Sequence, residues 1–137
     1  MGINVAAAGV KLPLARGMIV RAAGKFLFRR GVKAFELSIV FLPSAAMRAL
    51  NKAHLQHDDV TDVITFNFSN GRSFDGEIYI CPDEAAQNAR IYGETLQREV
   101  LRYMAHGILH LLGHNDGDER QRAAMRREED KLLELWP

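Results

Sequence analysis

A single cysteine, Cys81, stands in a chain of 137 residues, so no disulfide can form within it. That excludes the cystine-stapled secreted scaffolds and suits a reducing compartment. No apolar run approaches the ~18 residues that a membrane span needs, so the chain reads as soluble. Proline, glycine and serine nowhere gather into a linker, and there is no repeat or low-complexity tract. One domain over residues 1–137 is therefore expected, long enough to bury an apolar core. Acidic side chains are missing altogether before Glu36, whereas seven basic ones precede it: Lys11, Arg16, Arg21, Lys25, Arg29, Arg30 and Lys33. The remaining chain carries eleven basic against seventeen acidic residues, so a net charge of +1 conceals a lopsided distribution. A basic start on an acidic body suggests a footprint for phosphates, although a solvated helix face has the same composition. An Arg-rich, acid-poor start also mimics an organelle transit peptide. Because the strand pattern of residues 35–42 follows with no linker, it reads instead as part of the domain.

Several elements can be read from spacing and punctuation. Ile3, Asn4 and Val5 suit a short edge strand. Residues 13–30 have helical spacing, with Pro13 at the start and Gly31 just past the end. Residues 35–42 alternate as a strand, and Ser44 is a plausible cap for a second helix running to about His54. The β-branched and aromatic stretch 63–68 and residues 77–81 read as neighbouring strands joined by a longish hairpin, with Asn70-Gly71 as the turn signal. Pro82, Asp83 and Glu84 open a third helix, interrupted at Gly93. Residues 95–112 form a strongly apolar fourth helix stopped by Gly113, and residues 118–135 an amphipathic fifth with Asp118 near its cap. The fold class is α+β: a small mixed four-stranded sheet with about five helices.

The chemistry is concentrated in His106-Gly107-Ile108-Leu109-His110-Leu111-Leu112-Gly113-His114-Asn115-Asp116. His106 and His110, four apart on a helix, project from one face about one turn apart, so both imidazoles can reach one ion at ~2.0–2.1 Å. Gly113 ends the helix and reverses the chain, and Asp116 can fold back as a third ligand. His114 is the better zinc donor by chemical type, but beyond Gly113 helical spacing no longer guarantees a shared face, which favours Asp116. Three protein ligands leave one position open, a catalytic rather than a structural arrangement. The expected cofactor is one zinc ion; nickel, cobalt, iron or manganese also suit a His/His/Asp set.

A further absence narrows the class. Zinc peptidases with this spacing place Glu directly after the first His as general base, and Gly107 stands there instead. No general base, and no other catalytic residue, can be named from the sequence. Glycine inside a helix costs about 1 kcal/mol against alanine, which hints at close packing or a close substrate approach.

With these residues in hand, the chain resembles the YbeY family of bacterial rRNA-maturation endoribonucleases, from about Leu37 to Leu135. The resemblance is carried by Leu50-Asn51, Thr61-Asp62-Val63-Ile64-Thr65-Phe66, Gly76-Glu77-Ile78-Tyr79-Ile80-Cys81, the His106 to Gly113 segment and Met125-Arg126-Arg127-Glu128-Glu129. It implies a zinc-dependent, single-strand-directed ribonuclease of the cytoplasm that matures and quality-checks ribosomal RNA, free of membranes and acting at the small ribosomal subunit. It also implies a mostly four-stranded sheet with the metal helix beneath it. The family's first two ligands fall on His106 and His110, and its third, normally a histidine, falls on Asp116. Asp62 becomes a candidate to orient a ligand from behind. Family members commonly carry an arginine before the Thr-Asp-Val segment; here that position is Leu55, and His57 is a candidate substitute against the phosphate. The resemblance leaves two other classes to weigh: a zinc-bearing ribosome-assembly factor with little cleavage, and a metallohydrolase of other substrates.

Overall fold

The chain runs β1 (Gly2–Ala7), α1 (Arg16–Arg29), β2 (Phe35–Phe41), α2 (Ser44–Leu55), β3 (Val63–Asn67), β4 (Phe74–Ile80), α3 (Pro82–Tyr92), α4 (Leu96–Leu111) and α5 (Glu119–Leu133). A computed structural model describes residues 2–55, 63–70 and 73–136, excepting the side chains of His54 and Leu55. The sheet order is β1-β2-β4-β3; β1 pairs with β2 and β2 with β4 in parallel, and β3 pairs antiparallel to β4. Val5, Ile39, Ile78 and Thr65 lie in register across it. This is the α+β arrangement of five helices and a mixed four-stranded sheet that the hydrophobic patterning implied.

Alternation decides which face of the sheet is covered. Leu37, Ile39 and Phe41 of β2, with Phe74, Ile78 and Ile80 of β4, point to one face and join the main core with α1, α4 and α5. On the other face Ile64 packs with Met47 of α2 and with Cys81, bordered by Phe66 and Tyr79. Buried Cys81 thus fills a small apolar cluster; its Sγ lies 3.4 Å from Ser44 Oγ.

Helix α4 is the axle of the molecule. It contacts α1, α3, α5, β3 and β4, which is why Val100, Leu101, Met104, Ala105, Ile108 and Leu109 are all buried around its circumference. Two glycines bring it close to the sheet. A Cβ on Gly107 would lie 2.8 Å from Ile78 Cγ2, and one on Gly76 would lie 2.8 Å from Leu111 Cδ1. Helix and strand therefore each give up a side chain where the other's is large. Gly107 answers a packing demand. Asn67 Nδ2 also donates to the Leu111 carbonyl (3.2 Å), tying the end of β3 to the last turn of α4.

The expected boundaries shift slightly. Helix α1 starts at Arg16 instead of residue 13, after Ala15, which provides no side-chain cap. Ser44 is the first residue of α2 and not its cap. Gly93 does end the third helix as expected: at φ 68° it closes α3, and Thr95 then caps α4 by accepting from Arg98 N (3.1 Å).

Candidate metal centre

His106 and His110 stand on the exposed side of α4's second half, one turn apart, with ring centroids separated by 4.6 Å. The helix ends in a Schellman cap: Gly113 N donates to His110 O (3.0 Å) and His114 N to Leu109 O (3.0 Å), with Gly113 at φ 99°. An L-residue would be strained there, so the glycine is what lets the chain turn back on itself. Five residues later α5 is capped in its turn, Asp118 accepting from Gln121 N (2.7 Å) while Gln121 Oε1 accepts from Gly117 N (2.9 Å). Asp116 lies between these two caps and its direction is set by both.

The result is a convergence. Asp116 Oδ2 lies 3.3 Å from His106 Nε2 and 3.2 Å from His110 Nε2. One donor atom from each of the three residues lies within 4.8 Å of the others, a spacing compatible with a shared metal ion. The donor chemistry fits as well: two imidazoles and a carboxylate suit a divalent ion of intermediate softness.

His114 takes no part in this convergence. Its Nε2 is 2.8 Å from Arg30 Nη2, and since a guanidinium can only donate, that nitrogen is the acceptor. Arg30 Nη1 also donates to Glu128 Oε2 (2.8 Å), so His114 belongs to a bridge between α1 and α5. The hydrogen bond from Lys131, followed by the bond and charge of Arg30, outweighs burial and holds the Glu128 carboxyl below its ordinary range. The remaining sequence candidates, Asp62, His57 and the Leu55 side chain, lie outside the described residues.

Behind the histidines is a group that the sequence reading did not single out. Glu129 is 5 % exposed, and its Oε2 accepts from His106 Nδ1 at 2.6 Å while Oε1 accepts from Arg102 Nη1 at 3.1 Å. Arg102 also donates to Asp130 (2.8 Å). Burial opposes the charge of Arg102, but the hydrogen bonds to Asp130 and Glu129 prevail and raise its pKa. Glu129 thereby fixes the proton of His106 on Nδ1 and turns the lone pair of Nε2 towards Asp116, the usual arrangement behind a metal-binding imidazole. The signal was present in the sequence. Glu129 sits on the apolar stripe of α5 with Met125, Leu132 and Leu133, where an acid must have a buried partner.

The three side chains lie in a cleft of about 890 Å³, walled by Val63, Ile64 and Thr65 of edge strand β3, by Asn88 and Tyr92 of α3, and by Arg122, Met125 and Arg126 of α5. Tyr92 is 72 % exposed at its rim. Some of the basic N-terminal segment is occupied with structure: Arg16 donates to the Val5 carbonyl, Lys25 stands over the Trp136 ring at 4.9 Å, and Arg30 holds His114 and Glu128.

Fold and site together define a class: a small α+β protein with a His/His/Asp group, compatible with a metal ion, on a helix crossing beneath a mixed sheet. The family model for the endoribonuclease YbeY matches residues 14–136, and the chain belongs to that family of RNA-cleaving hydrolases. Among its relatives named Endoribonuclease YbeY, that of Elusimicrobium minutum is 35 % identical over 90 % of this chain and 87 % of its own. That of Chlorobium phaeovibrioides is 34 % identical, covering 89 % and 82 %, and that of Chlorobaculum tepidum 39 % identical over 71 % of each. The solution structure of TM1509 from Thermotoga maritima superposes with a TM-score of 0.65 at 22 % identity, covering 98 % of this chain and 91 % of that one. That likeness speaks for the fold alone. No helix among the described residues is long and apolar enough to cross a membrane.

Proposed function

We propose that this chain is a zinc-dependent endoribonuclease, one domain acting in the cytoplasm on single-stranded ribosomal RNA during its maturation and quality control at the small subunit. The observation that carries the reading is the convergence of His106 Nε2, His110 Nε2 and Asp116 Oδ2 at an open cleft, in a member of an endoribonuclease family.

The three residues would hold the ion. When bound, it supplies a Lewis acid towards a phosphoryl oxygen and lowers the pKa of water. The protein's share is to orient the histidines as donors, which for His106 is the work of Glu129 at Nδ1. Gly107 packs against Ile78 and provides no base, so the helix lacks the carboxylate that peptide hydrolysis by this ligand pattern uses. The donor set accepts nickel or another divalent metal as well as zinc.

The test is zinc stoichiometry and single-stranded RNA cleavage measured together on wild type, Asp116→Ala and His114→Ala. Loss of both metal and cleavage in Asp116→Ala, with both retained in His114→Ala, is expected. Full zinc occupancy in Asp116→Ala would remove that ligand. Full zinc and tight RNA binding without any cleavage by wild type would make the chain a ribosome-assembly factor instead.

A further inference from the structure

A polyanionic substrate needs cations beside the metal, and among the described residues the cleft offers very few that are not already engaged. Arg102 lines it but is consumed by Glu129 and Asp130. Arg98, on the same helix, faces Glu94 at 3.6 Å. Helix α5 is different. Arg122, Met125, Arg126 and Glu129 follow the i, i+3, i+4, i+7 spacing of one helical stripe, and all four line the cleft. Met125 and Glu129 are buried at its base, while Arg122 and Arg126 are exposed one turn apart at its lip. Among the described residues neither arginine has a carboxylate at ion-pair distance. The protein contact made by Arg122 is a long one, Nη1 to the Asp116 carbonyl oxygen at 3.5 Å, which places its guanidinium beside the proposed metal ligand.

We propose that Arg122 and Arg126 are the phosphate-binding residues of this cleft, holding backbone phosphates next to the one presented to His106, His110 and Asp116. A guanidinium suits the role, since its planar fork can donate two hydrogen bonds to phosphate oxygens and keeps its charge at any working pH. Their spacing of one helical turn, about 5.4 Å, is close to the distance between successive phosphates of a strand, so the two can engage neighbouring groups. The assignment rests on the ribonuclease reading above and adds to it the residues that bind the substrate backbone.

The experiment uses the zinc-loaded full chain and a short unstructured RNA, with wild type, Arg122→Ala, Arg126→Ala, Arg126→Lys and, as control, Arg127→Ala on the same helix outside the cleft. Zinc content, KM and kcat for cleavage, and Kd as a function of salt are measured for each. Both cleft alanine variants should keep zinc and raise KM and Kd about five- to tenfold. Each should also flatten the slope of log affinity against log salt by ~0.7, the share of one phosphate contact on a single strand. Arg126→Lys should restore the slope, and Arg127→Ala should change little. If wild type binds and cleaves while the two cleft variants match it, or while Arg127→Ala is equally impaired, the assignment is overturned and the ribonuclease reading stands. If zinc-loaded wild type binds no RNA at low salt, both fall.

Discussion

Glu129 Oε2 lies 2.6 Å from His106 Nδ1, and the same carboxylate is held from its other oxygen by buried Arg102. Three consequences follow from these two contacts: the tautomer of His106 is fixed, its ring is restrained, and the acid that fixes it is itself held in place. Replacing such a partner commonly weakens metal affinity by about 10–100-fold. Glu129→Gln preserves shape and one acceptor, so it should fall near the lower end, read by zinc competition against a chromophoric chelator. Glu129→Ala should also unfold more easily, by roughly 3–5 kcal/mol, because it leaves the Arg102 charge buried with less compensation. An affinity within twofold of wild type for a folded Glu129→Gln would show that His106 needs no such support.

The Arg30 bridge makes a pH-dependent contribution to stability. Lys131 and Arg30 hold the Glu128 carboxyl below its ordinary value of 4.5 in the folded chain. A carboxyl lowered on folding stabilises fully above its unfolded value and loses that contribution as pH falls through the folded one. The partly exposed pair should be worth about 0.5–1 kcal/mol near neutrality. Urea midpoints of wild type and Glu128→Gln should thus differ at pH 7 and draw together below pH ~3. A gap that stays constant over this range would assign the difference to packing.

Much of this arrangement is legible in the residues themselves, for a local reason. Alternation in residues 35–41, the i, i+4 histidines and the glycine at 113 are short-range signals, and the structure at each is set by its own neighbours in the chain. The Schellman cap at Gly113 even explains why an imidazole four residues beyond His110 leaves the histidine face. What the sequence could not disclose is what crosses between elements. The partners of Glu129 are 23 and 27 residues away, and Arg30 meets His114 across 84 positions. The basic N-terminal segment likewise looks uniform as a string, yet Arg30 and Lys25 are turned to structural contacts.

The crossing of α4 over β4 predicts the response of Gly107. Alanine there gains about 1 kcal/mol of helix propensity. Its Cβ, however, would stand 2.8 Å from Ile78 Cγ2 and 2.9 Å from Cδ1, in a core where overpacking costs roughly 1–3 kcal/mol. Gly107→Ala should accordingly be destabilised by about 0–2 kcal/mol, and a double-mutant cycle is the decisive measurement. Ile78→Val removes the δ-methyl that stands at 2.9 Å, so the pair should couple favourably by ~0.5 kcal/mol or more. Strict additivity would mean that α4 simply rides away from the sheet.

Asp116 offers the sharpest chemical test, since its position between two helix caps fixes where a donor can stand and leaves open which donor it is. Asp116→His should retain zinc, because an imidazole at this turn can also reach the space between His106 Nε2 and His110 Nε2, whereas Asp116→Ala should lose most of it. The two donors differ in charge. A carboxylate leaves the centre one unit more negative, which weakens the acidity that the ion confers. Cleavage by Asp116→His should therefore begin at lower pH than wild type, seen as a shift of the acidic limb of the kcat/KM profile. A limb at unchanged pH, with zinc retained, would mean that the ionisation governing the rate belongs to a group away from the metal centre.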